Sequence, residues 1–167
     1  DRKEKHHTSL VRLQHYLNDC LNTTSDNIFI ADECIEVFDE TRLQGANHPI
    51  FMNVFHQYPI DRELVIGLTN SKFVNEVYTL NVGLKKLNDS MATVDRAYAQ
   101  FREAFVAKHI SDTDYLLNAR RTRQRSIELI AFFLQQKQDL IRLFATSNIL
   151  LKDPPFLVRI RARVGPT

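Results

Sequence analysis

Between Ser71 and His109, apolar residues recur at alternating steps of four and three. The series runs Phe73, Val77, Leu80, Leu84, Leu87, Met91, Val94, Tyr98, Phe101, Phe105. This is an unbroken heptad seam, the pattern of a long helix that buries one stripe against other helices along its whole length. Beside it, Gly83, Ser90, Ala97 and Ala104 repeat every seven residues and let a neighbouring helix approach closely. On the other side Asn81, Asn88, Asp95 and Arg102 form a polar column, placed either toward water or toward another chain, where it would set the register of a dimer.

Two further segments carry comparable stripes. Across about residues 3–42, Leu10, Leu13, Leu17, Cys20, Leu21, Thr24, Ile28, Ala31, Ile35 and Phe38 stay on one face. The weak helix formers "NTTSDN" at 22–27 do not shift its phase, so one continuous helix is expected. Across about residues 112–151 the inner face reads Tyr115, Ala119, Thr122, Ser126, Leu129, Phe133, Leu140 and Phe144. "SDTD" supplies its N-cap and "LKDPP" its stop. With only four glycines and five prolines in 167 residues, the chain has room for few reversals, hence few and long elements.

The expected fold is therefore all-α: an elongated antiparallel bundle of three matched long helices over 1–152. "HISD" makes the tight turn between the last two. A short helix after Pro49, presenting Phe51, Val54, Phe55 and Tyr58, is expected to cap one end, with a turn after Asp61. Residues 153–167 form an extended tail, in which "FLVRIRARV" alternates apolar and basic residues in the manner of an edge strand or strap.

The sequence argues against most chemistry. The four glycines are too scattered for a phosphate loop, and no nucleophile elbow is present. A di-metal carboxylate site needs Glu-x-x-His pairs, which Glu33 and Glu36 do not make, so these residues read as a solvated acidic face. His6, His7 and His109, expected at a shared end of the bundle, are poorly disposed to chelate one ion. Cys20 and Cys34 lie about 21 Å apart along a helix, beyond a disulfide, and read as buried thiols. No enzyme activity, cofactor or metal is expected. No run of apolar residues is long enough to span a bilayer. The chain opens on "DRKEKHH" without methionine, which reads as a fragment or processed chain, with a membrane anchor ahead of Asp1 as one arrangement.

One motif stands out by charge. "NARRTRQRS" at 118–126 places Arg120, Arg121, Arg123 and Arg125 in a chain whose formal net charge is only +2. On a helix the four fan out, and Ala119, Thr122 and Ser126 face inward as a small polar layer, a candidate inter-helix pocket. If residues 1–21 and 95–125 share one end, that end carries 11 basic against 7 acidic groups, while 22–45 carries 1 against 6. The rod would then be polarised, with its arginines at the N-terminal end and Asp95 and Glu103 as their ion-pair partners. The expected function is a non-enzymatic helical interaction or sensor-type domain of a larger protein, with a protein partner or self-association. The alternative is a binder of anionic partners through Arg120, Arg121, Arg123 and Arg125: a phospholipid surface, or nucleic acid, which the near-neutral charge disfavours.

Overall fold

The computed structural model describes residues 1–45 and 48–152. Three long helices and a short one make up the described chain: α1 (Arg2–Val37), α2 (Glu40–Leu43), α3 (Ser71–Val106) and α4 (Asp112–Lys152). Each start is capped as its sequence dictates. Asp1 accepts from the Lys3 amide, Asp39 from Thr41 and Asn70 from Phe73. Ser111 accepts from the Asp114 amide at 3.1 Å, capping α4, and its hydroxyl donates to the Asp114 carboxylate at 2.9 Å. α1 runs unbroken through "NTTSDN", where Thr23 and Thr24 turn their hydroxyls back onto the Asp19 and Cys20 carbonyls. It stops at Val37, short of Arg42, because Asp39 takes an extended backbone and starts α2.

The seam of α3 is buried from Phe73 to Phe101. It packs with Leu10, Leu13, Leu17 and Cys20 of α1 and Phe133, Leu140 and Leu143 of α4 in one continuous core. At one end Phe101, Phe105 and Tyr115 cluster, with ring centroids 4.7–6.5 Å apart, and His48 stacks on Phe105 at 5.5 Å.

Residues 48–60 correct the sequence reading. No helix follows Pro49; the short helix is α2, earlier in the chain, and 49–60 is extended, followed by turns over 62–67. Phe51, Phe55 and Tyr58 are buried as their spacing suggests, while Val54 is exposed. Length explains the conformation. α1 and α3 run parallel, so the chain must travel back along a helix of about 54 Å before α3 can begin. The 27 residues between α2 and α3 would reach only about 40 Å as a helix, whereas extended chain covers about 3.3 Å per residue. Pro59 reinforces the outcome by disfavouring a helical Tyr58. The connector thus fills the slot of a missing fourth helix. α1 and α3 lie farther apart than either lies from α4; the connector runs between them, Tyr16 and Asn27 reach across to Asn81 and Met91, and α4 runs antiparallel to both.

That parallel pairing overturns the proposed polarity. The 22–45 end of α1 lies beside 95–126, as Glu40 with Arg120 and Cys34 with Ser126 demonstrate, while Gln14 meets Ser147 and Asn148 at the other end. His6, near Thr69, therefore lies at the opposite end from His109. The arginines sit at the acidic end of α1, and the rod is not polarised as expected. The strand-like reading of 156–164 falls outside the described residues.

Candidate functional site

The arginine cluster is divided by its surroundings. Arg120 clasps Glu40 through both carboxylate oxygens, Nε to Oε1 at 2.7 Å and Nη2 to Oε2 at 3.0 Å. Arg120 lowers the Glu40 carboxyl below its ordinary range in return. Arg123 is half-buried and donates to the Ile35 carbonyl at 3.4 Å, near the negative pole of α1. Neither Asp95 nor Glu103 takes the partner role expected of it. Arg121 and Arg125 are exposed, one helical turn apart, with no ion-pair partner among the described residues. Half of the cluster thus fastens α4 to the α1–α2 corner.

Ala119, Thr122 and Ser126 face inward and are buried. Thr122 donates to the Asn118 carbonyl at 2.9 Å and Ser126 to the Thr122 carbonyl at 3.0 Å, so both hydroxyls are satisfied within α4. The Cys34 thiol bonds to Ser126 and is pushed up to about 11, first by burial. Cys20 is buried and raised to about 11 for the same first reason. Both cysteines are free thiols.

The polar column of α3 faces the connector of its own chain, not water and not another chain. Asn88 grips Tyr58 twice, accepting from its amide at 2.7 Å and donating to its carbonyl at 2.9 Å. Asn27 of α1 grips His56 in the same way, at 2.7 and 2.8 Å. Asn81 donates to the Asp61 carbonyl at 3.2 Å, and Tyr16 donates to the Pro59 carbonyl at 2.7 Å. Phe51 and Phe55 donate their amides to Tyr98 and Asp95. An extended segment with no β partner must satisfy its buried backbone groups by side chains, and these residues do so. Asp95 is the exception in an otherwise uncharged set, and burial pushes its carboxyl up to about 6.

A groove of about 560 Å³ opens between α3 and α4, away from Ala119 and Ser126. Gly83 and Gln136 form its floor, with Lys72, Lys86, Glu76 and Arg142 around it. The Gln136 Oε1 is buried with no hydrogen-bond partner among the described residues.

The sequence reading missed the outer face of α4. Ile127, Leu134 and Ile141 are 37%, 48% and 51% exposed and repeat every seven residues. Gln124, Ala131, Gln138 and Ala145, all exposed, repeat beside them. Together they form a second heptad seam without a charge from Gln124 to Asn148, about 36 Å long. The signal was available in the spacing, but the inner stripe of the same helix masks it, since the two are offset by a single residue.

No group of three or more His, Cys, Asp or Glu capable of holding a metal occurs among the described residues, and none of their helices is long and apolar enough to cross a membrane. No protein-family model, curated protein or solved structure matches the chain.

Proposed function

We propose that the chain is a non-enzymatic helical interaction domain, and that the outer face of α4 is its binding surface. The uncharged, exposed heptad seam carries this reading. Scattered exposed aliphatics are ordinary, but a ladder in register along one helix is the shape a partner helix fits. Burying Ile127, Leu134 and Ile141 would remove apolar surface that the bundle itself leaves wet. The bundle's own packing leaves that face unused.

A photo-crosslinking amino acid at position 138, introduced into the full chain in cells that make it, tests the reading. The expected result is an adduct at a defined helical site of one identified protein. Absence of any intermolecular adduct would overturn it.

Arg121 and Arg125 support a second reading, contact with an anionic surface, because they alone of the cluster are exposed and make no ion pair or hydrogen bond to another helix among the described residues. Vesicle flotation with anionic lipid across a salt series checks it. Binding that survives Arg121→Gln with Arg125→Gln counts against it.

A further inference from the structure

Resting on the interaction reading above, we infer that the partner of the α4 seam is a second copy of this chain, paired antiparallel with its own α4. In heptad terms Gln124, Ala131, Gln138 and Ala145 occupy one core position, and Ile127, Leu134, Ile141 and Asn148 the other. An antiparallel pair sets one kind of position against the other. One register places Ala131 opposite Ile141, Ala145 opposite Ile127 and Gln138 opposite Leu134 of the second copy. Each small or flexible side chain then meets a bulky one, so the layers interlock.

Charge selects that register. It sets Glu128 opposite Arg142 of the second copy, twice by symmetry, with Gln135 against Gln135 on the two-fold axis. Among the described residues Glu128 makes no ion pair and bonds only to Gln124, at 3.3 Å, and the contacts of Arg142 with Glu76 and Asp139 are loose, at 3.6 Å each. Both charges are therefore free to pair across the seam. Sliding by one heptad one way sets Arg121 against Arg142; sliding the other way leaves Glu128 facing Ile149. A parallel pair balances each Arg123–Glu128 attraction with a Lys137–Arg142 repulsion. The antiparallel register has a single like-charge meeting, Lys137 with itself. Its two Glu–Arg pairs outnumber it, and like charges at other registers suppress the alternatives.

A seam on one helix is a small interface, so weak dimerisation, in the micromolar range, is expected. Sedimentation velocity on the full chain should give a species approaching twice the 19.5 kDa chain mass. Glu128→Arg should weaken association about tenfold, and adding Arg142→Glu should restore it, because the swapped charges pair again. Gln135→Cys, the only exposed thiol in that variant, should oxidise to a covalent dimer much faster than Lys85→Cys on α3. Position 138 crosslinked to a different protein, with the chain monomeric throughout, overturns the second copy while leaving the interaction reading standing. Adducts confined to the chain's own residues 153–167, or no adduct at all, overturn both. A dimer that Gln135→Cys does not trap overturns the register, and with it the inference.

Discussion

Asp95 concentrates the tension in this fold at one residue. Its neighbours in the column, Asn81 and Asn88, hold the connector without charge, whereas Asp95 accepts the Phe55 amide at 3.2 Å as a half-buried carboxylate. Burial lifts its folded pKa to about 6, from 3.8 when unfolded. The folded state therefore holds the proton more tightly than the unfolded state. The stability this contributes is complete below about pH 4 and is lost as pH rises to about 6. Asp95→Asn keeps an acceptor for Phe55 and removes the titration. It should stabilise the chain by roughly 1–2 kcal/mol at pH 7.5, with the gain vanishing near pH 4. Denaturant melts of both proteins at the two pH values check this; an equal difference at both would contradict it. Nothing in the sequence marks Asp95 for this role, because the polar column reads equally well as a solvent face. The arginines illustrate the same limit: their fanning out followed from helical angles, but the pairing of Arg120 with Glu40 required knowing which helices run parallel.

At the scale of elements, the connector departs most from what the sequence suggests. Phe51, Phe55 and Tyr58 are spaced as on a helix and are buried, yet the chain between them is extended. Local pattern gave three of the four inward residues, missing at the exposed Val54, and the wrong conformation, since it carries no record of the distance the segment must cover. The three long helices were legible because their heptad stripes and caps are local signals, and these agree with the packing. The clamps of Asn88 on Tyr58 and Asn27 on His56 each satisfy a backbone donor and an acceptor. Asn88→Ala and Asn27→Ala should each cost roughly 2–3 kcal/mol, as the groups they leave unpaired are part-buried. Asn88→Asp, which keeps only the acceptor, should also destabilise the chain near neutral pH. Thermal melts measure all three, and a loss below about 0.5 kcal/mol for Asn88→Ala would show that water replaces the clamp readily.

For the whole molecule, the bundle uses three helices and one extended segment to close a four-membered core, with α4 as its most exposed long element. Two seams run along that helix, one facing the core and one facing out. The inner seam accounts for folding, and the outer seam is the surface proposed for a partner. The sequence carried both, but a reading that seeks one stripe per helix stops at the first. The direct test is light scattering of the full chain over a dilution series from about 1 to 100 µM, spanning the range expected for a small interface. Substituting Leu134→Lys places a charge at the centre of the outer seam without touching the core. The wild-type mass should climb from 19.5 kDa toward twice that value, while Leu134→Lys stays at 19.5 kDa throughout. A wild type that remains at 19.5 kDa across the series, or a Leu134→Lys variant that associates equally well, would contradict the assignment of α4 as the surface of self-association.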